Sequence, residues 1–150
     1  MGYFDSLRIS ASALGAQRLR LDVIANNIAN AETTRTAEGG PYRRQDVVFA
    51  AQGRTDFLPM LLAARRGQLA PGSTGAGVRV AQIVADEEPG ARVYDPVHPD
   101  ADADGYVTMP NVNLVTEMTN MLSATRSYEA NLSVVDAFQR MALRALDIGR

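Results

Sequence analysis

The sequence predicts an α+β fold, with amino- and carboxy-terminal α-helices that pair as a coiled-coil domain around a small β-rich middle domain. Leu7, Leu14, Leu21 and Ile28 recur at a strict seven-residue interval near the amino terminus. Near the carboxy terminus Leu114, Met118, Met121, Thr125, Tyr128, Leu132, Val135, Gln139, Ala142 and Leu146 alternate steps of four and three, the pattern of a heptad a/d seam. Between them the texture shifts to turn-forming residues and short runs that alternate with period two.

The first helix is expected over about residues 5–30. Phe4, Ala11, Ile24, Ala25 and Ala31 widen the leucine stripe to one helical face, while Arg8, Arg20 and Asp22 lie off it. Asp5 or Ser6 is placed to cap the start. Gly15 in mid-helix costs about 1 kcal/mol against alanine, which suggests the close approach of a partner backbone. Asn26, Asn27 and Asn30 crowd the end. Asparagine tolerates the left-handed conformation that stops helices, and this accounts for one of the three.

The last helix is expected over about residues 113–148, with Asn113 as N-cap just beyond Pro110 and Glu117 in the positive first turn. Val115, Leu122, Phe138 and Met141 flank the seam, and Asp136 with Arg140 has the i, i+4 spacing of a helical ion pair. At 1.5 Å per residue such a helix runs to about 50 Å. A single small domain cannot cover a seam of that length, so part of it must meet the first helix and part must meet other chains.

In the middle, residues 77–84 alternate as a strand, with Val78, Val80 and Val84 on one side and Arg79, Ala81 and Ile83 on the other. Weaker strand signals lie at 42–49, 91–94 and 105–109, loops at 33–41 and 67–77, and a short helix at 57–66. No internal repeat is visible.

Composition excludes much chemistry. Apolar residues make up 46% of the 150, and 15 positive residues oppose 17 negative, a formal net charge of −2. Nothing in that balance gives a nucleic-acid-binding face. All positive residues are arginine, so there is no lysine for a phosphate-binding P-loop or a Schiff base. Cysteine is absent, which removes thiol nucleophiles, thiolate metal sites and disulfides. Carboxylate acid–base chemistry is left open by composition. The first residues lack a basic stretch followed by an apolar core, so no cleavable secretory signal is expected. No apolar run approaches the ~20 residues of a membrane span.

One segment invites a metal reading. Asp100, Asp102 and Asp104 stand at positions 1, 3 and 5 of a loop with Gly105 at position 6, as in an EF-hand. Position 12 is Asn111 where a bidentate glutamate is required, and Asp95-Pro96-Val97-His98-Pro99 cannot supply the preceding helix. The competing reading is an acidic turn leading into a strand. His98, the only histidine, is similarly either a ligand or base in a small hydrolase with Asp95 and Asp100, or a turn residue bonded to a neighbouring carboxylate. No Gly-x-Ser-x-Gly motif accompanies it.

Three stretches together resemble one family. Asp22-Val-Ile-Ala-Asn-Asn-Ile-Ala-Asn-Ala-Glu-Thr33 is similar to the amino-terminal signature of bacterial flagellar rod and hook axial proteins. The run 93–107, containing Asp95, Pro96, His98, Pro99, Asp100, Asp102, Asp104 and Gly105, followed by 109–113, resembles a segment particular to proximal-rod members. Residues 117–131 resemble the carboxy-terminal helix of the family, and the stretch 42–45 agrees. The resemblance covers most of the chain and is weak across 53–75.

The resemblance implies an amino-terminal axial helix at 1–33, a β-rich middle domain at 34–110 with a variable segment at 53–75, and a carboxy-terminal axial helix at 111–150. Assembly is then expected through Leu7, Leu14, Leu21, Ile28, Asn26, Asn27 and Asn30 on the first helix. On the last helix it is expected through Leu114, Met118, Met121, Tyr128, Leu132, Val135 and Leu146. The implied role is that of a structural subunit of the flagellar basal-body rod, not an enzyme. The resemblance also implies export by the flagellar type III apparatus and assembly in the periplasm into the shaft that carries torque to the hook. Its implied partners are copies of itself, other rod proteins and the junction of rod and membrane ring, with no cofactor, small-molecule substrate or nucleic acid. A distal-rod or hook subunit is the nearest alternative, and a calcium-binding module a more remote one.

Overall fold

A computed structural model describes residues 3–52 and 77–148 of the chain. The elements run α1 (Tyr3–Ala29), β1 (Gln45–Ala51), β2 (Val78–Ala85), β3 (Arg92–Tyr94), β4 (Tyr106–Thr108) and α2 (Leu114–Ile148). The expected α+β architecture of two long terminal helices and a small β-sheet middle is what the chain adopts. The short helix expected at 57–66 and most of the loop at 67–77 lie outside the described residues.

Asn113 caps α2 as its sequence position suggests: its side-chain oxygen accepts the Thr116 N–H at 3.1 Å, satisfying a backbone donor the helix leaves over. The start of α1 differs from expectation. The helix begins at Tyr3, so Asp5 and Ser6 are inside the first turn, where Asp5 faces Arg8 at 3.5 Å. Its end differs too. Among the described residues only glycines have positive φ, so no asparagine closes α1 by a left-handed turn. Asn30 closes it by folding its amide back onto the Asn26 carbonyl at 2.9 Å and the Asn26 side chain at 2.8 Å. Gly15 is exposed, and an added Cβ would meet nothing within 4 Å among the described residues beyond its own helix backbone.

The helices pack on each other along their length. Asn27, two residues before the end of α1, touches Glu117 in the first turn of α2, so the two helices run antiparallel. The buried apolar residues described are Ala16, Val23 and Ile24 on α1, Ala124 on α2, and Val47 and Val107 on strands. Each of the branched ones contributes about 1.5–3 kcal/mol by leaving water. On α2 the burial runs through Glu117, Met121, Ala124, Tyr128 and Val135. The face turned to α1 is therefore rotated from the sequence-derived seam: it includes Glu117 and leaves Leu114, Met118, Leu132 and Leu146 in solvent. Asp136 and Arg140 make no ion pair with each other.

The middle holds two antiparallel two-stranded sheets, β1–β2 and β3–β4. The β1–β2 ladder runs from Gln45↔Ala85 to Ala51↔Val78 with a register break between Val48 and Phe49. Ala81 is the extra residue of that bulge, since Val48 pairs with Gln82 and Phe49 with Val80. A bulge offsets the alternation of faces beyond it. Val78 and Val80 are accordingly half-buried around an exposed Arg79, but Ile83 and Val84 are both exposed.

Where the chain passes from β2 to β3, Gly90 lies against the backbone leading into α2. A Cβ there would stand 1.7 Å from the Met109 carbonyl oxygen and 2.8 Å from its carbon. Those atoms are backbone, fixed in part by the Met109 N–H donated to the Ala91 carbonyl at 2.9 Å. Gly90→Ala is expected to destabilise the chain by about 1–3 kcal/mol, the range for overpacking that forces backbone shifts. A denaturant midpoint equal to that of the parent would contradict the close crossing.

Candidate interhelical junction

Two polar side chains are the largest fully buried ones described: Asn27, with 0% exposure, and Glu117, with 1%. Burying such groups is costly unless their hydrogen bonds are met, and here they are met by each other and by the edge of the β1–β2 sheet. The Asn27 amide nitrogen donates to the Gln45 carbonyl at 2.8 Å and to Glu117 Oε2 at 3.1 Å. Its amide oxygen accepts the Gln45 N–H at 2.9 Å and the Tyr42 hydroxyl at 2.9 Å. All four hydrogen-bonding positions of the asparagine are thus used.

Glu117 turns its other oxygen to Arg44, whose Nε lies 2.9 Å from Oε1. The same guanidinium reaches Asp46 at 3.6 Å and Asp86 at 3.8 Å. Its backbone N–H donates to Asn111 Oδ1 at 2.8 Å, and its carbonyl accepts from Asp86 N–H at 2.7 Å. The hydrogen bond to Glu117 outweighs the cost of burial and raises the Arg44 pKa. Burial, and then the negative charge of Glu117, push the Tyr42 hydroxyl up, keeping it the proton donor that Asn27 requires. The junction joins the end of α1, the start of β1, the end of β2 and the start of α2.

A second set of polar contacts builds the turn at 95–105. Asp100 accepts the Thr34 hydroxyl at 2.8 Å and faces Arg35 at 3.6 Å, fastening the turn to the segment after α1. Asp102 accepts the backbone N–H groups of Tyr106 at 2.9 Å and Asp104 at 3.0 Å, and pairs with Arg92. Asp95 accepts the Val97 N–H at 3.2 Å. His98 differs from its expected role: its Nδ1 accepts the Asp100 backbone N–H at 3.1 Å and meets no carboxylate. Gly105 has φ +79°, and a Cβ there would press on Tyr94 and Pro96 at 3.0 and 3.2 Å. Arg92 lies over the Tyr106 ring at 5.0 Å, and the Tyr94 and Tyr106 rings meet edge to face. Among the described residues no group of three metal-ligating side chains converges.

The backbone N–H of Tyr106 is the main cause that lowers the Asp102 pKa, with the Asp104 N–H and Arg92 adding to it. A carboxylate lowered in the folded state contributes stability above its unfolded pKa of about 3.9, and that stability is lost as pH falls through the lower folded value. Acidification below about pH 4 is therefore expected to loosen the β3–β4 hairpin. Tyr94 and Tyr106 ring resonances followed by NMR should show the change, and Asp102→Asn should remove most of that acid dependence. Identical titrations in both chains would count against the assignment.

The residues expected to assemble divide between the two environments. Leu7, Leu14, Leu21 and Ile28 on α1 and Met121, Tyr128 and Val135 on α2 are half-buried. Asn26 is exposed and Asn30 half-buried, and both serve the α1 terminus, while Asn27 serves the junction. Leu114, Met118, Leu132 and Leu146 are exposed together with Val115 and Leu122. Helical periodicity pointed to neither Tyr42, Arg44 nor Glu117 as a partner of Asn27. Their common signal was membership in segments of the resemblance, Tyr42 and Arg44 in the shorter stretch 42–45 and Glu117 in 117–131, as Asn27 is in 22–33.

Those stretches also carry the relationship to known proteins. The family described as "Flagella basal body rod protein" matches residues 7–35, which contain Asn27. The one described as "Flagellar basal body rod FlgEFG protein C-terminal" matches residues 103–148, which contain Glu117. The flagellar basal-body rod protein FlgC of Borreliella burgdorferi is 46% identical, over 99% of this chain and 98% of its own. The FlgC proteins of Bacillus subtilis and Salmonella typhimurium are 44% and 40% identical over the full length of both chains. The chain belongs to the FlgC family. As a FlgC-family protein it is a structural subunit of the flagellar basal-body rod and associates with other rod components. In this FlgC-family chain, the junction ties the two family-defining helical segments to each other and to the sheet between them.

Proposed function

We propose that this chain is a subunit of the proximal rod that works mechanically, without catalysis, cofactor, small-molecule substrate or nucleic acid. Its terminal helices are the axial element and 34–110 the outer domain, with 53–75 as its variable segment. It reaches the periplasm through the flagellar type III export apparatus. It assembles with copies of itself, with other rod proteins and with the junction of rod and membrane ring.

The observation that carries this reading is the outward apolar stripe of α2. Val115 is 74% and Leu146 71% exposed, with Met118, Leu122 and Leu132 between them. Apolar side chains repeating along one 35-residue helix form an extended surface that neighbouring helices bury. The family's role in a rod supplies those neighbours. The hairpin at 93–107, stiffened by Asp102, Gly105 and the tyrosine pair, supports the proximal position through its resemblance to the segment particular to proximal-rod proteins.

A cryo-EM map of the intact basal body with this chain traced tests the proposal. The expected result places the chain next to the membrane ring, with Val115, Met118, Leu122, Leu132 and Leu146 packed against other subunits. A tracing in the distal rod, or one with that stripe in solvent, would overturn it.

A further inference from the structure

The α1–α2 contact has an unusual degeneracy. Leu7, Leu14, Leu21 and Ile28 repeat every seven residues on α1, and on the α2 face turned to α1 the apolar residues Met121, Ala124, Tyr128, Val135, Phe138 and Ala142 stand at steps of three, four and seven. A slide of one heptad along the helix axis therefore brings apolar residues opposite apolar residues again. Ala16 and Ala124 are small among the buried side chains of the two helices, and Val23 and Ile24 are the larger apolar ones. Against that repeat stands the polar triad of Asn27, Arg44 and Glu117, which includes the two largest fully buried side chains among the described residues.

We infer that Asn27, Arg44 and Glu117 form a register lock, which selects the one axial offset at which α1 lies on α2 and contributes little to net stability. In the observed register all the hydrogen-bonding positions of Asn27 are met and both Glu117 oxygens are engaged. A slip of one heptad in one direction sets Asn27 opposite Ala124. In the other it sets Asn27 opposite Pro110, with Arg20 brought to Glu117 and Arg44 left with only Asp46 and Asp86. Because the β1–β2 sheet packs on α1, Asn27 keeps Tyr42 and the Gln45 backbone in either slip, while buried Glu117 loses both Asn27 and Arg44. A single buried asparagine fixes register in coiled coils by this penalty on the alternatives, at a cost in stability. Here the lock spans three segments, so the same contacts that index α1 against α2 also index the β1–β2 sheet against both helices.

The inference concerns the single chain and rests on the rod reading only for its consequence in assembly, so a distance measurement on the monomer tests it independently. The chain has no cysteine, so Arg18→Cys and Arg126→Cys cannot be confused with native thiols, but those sites face each other too closely for a dipolar measurement. Arg18→Cys with Arg140→Cys, both at exposed positions, places two nitroxides at an axial separation of about 20 Å. The labelled chain with the lock intact should give one narrow distance. In the labelled Asn27→Leu, Arg44→Met, Glu117→Leu chain, a second distance displaced by about 10 Å, seven residues of helix rise, should appear. Its thermal midpoint should stay near that of the parent. A single unchanged distance in the folded triple variant would overturn the lock. So would loss of folding, which would show that the triad holds the fold together instead of selecting its register, or two distances with the lock intact.

Discussion

Glu117→Ala is expected to lower the stability of the isolated chain by about 3–5 kcal/mol, the cost of breaking a buried, hydrogen-bonded ion pair from one side. The carboxylate is 1% exposed and bonded to both Arg44 and Asn27, so its removal leaves a half-buried guanidinium and one amide N–H without their acceptor. Asp46 and Asp86, at 3.6 and 3.8 Å, remain near Arg44 and place the effect toward the lower end. Near 150 residues each kcal/mol moves the thermal midpoint by about 2–4 °C, so a drop on the order of 10 °C is expected in a calorimetric scan. A drop below about 2 °C, the effect of an ordinary surface change, would remove Glu117 from the junction. Its position off the heptad seam suggests a mild substitution, and the structure reverses that expectation.

Leu132→Asp acts at the opposite level. Leu132 is 43% exposed in the chain alone, so the substitution should shift monomer stability by only about 0.5 kcal/mol. Under the proposed assembly the same side chain belongs to the α2 stripe that neighbours would cover. There the change forfeits about 1.5–3 kcal/mol of apolar burial and adds the cost of desolvating a charge, in every copy. The expected result is a subunit that is exported and folds, in cells that build no rod past the ring and do not swim. Motility assays with basal bodies isolated from the same cells check it. Normal swimming would place Leu132 on a solvent face of the rod and redirect the assembly surface to the half-buried side of α2.

The sequence by itself determined the two long helices, their approximate ends, strands expected at 42–49, 77–84, 91–94 and 105–109 that form at 45–51, 78–85, 92–94 and 106–108, and the flagellar rod family. These depend on local physics: hydrophobic period, capping by Asn113, and turn residues such as Gly105, all read along a few neighbouring residues. Which face of α2 meets α1 was decided only in the tertiary structure. The heptad pattern there is broad enough to offer two apolar faces, and α1 covers the one that begins at Glu117. The fate of the three asparagines was likewise a tertiary outcome, since Asn27 gains its role from Tyr42, Gln45 and Glu117, the last of them 90 residues away. A buried polar side chain is stable only where distant segments bring matching donors and acceptors, and a one-dimensional pattern carries no record of which segments meet. The acidic turn shows the same division. The spacing of Asp100, Asp102 and Asp104 admits a calcium loop or a structural turn. Thr34, Arg35 and Arg92, brought in by the fold, engage Asp100 and Asp102 in holding the turn itself.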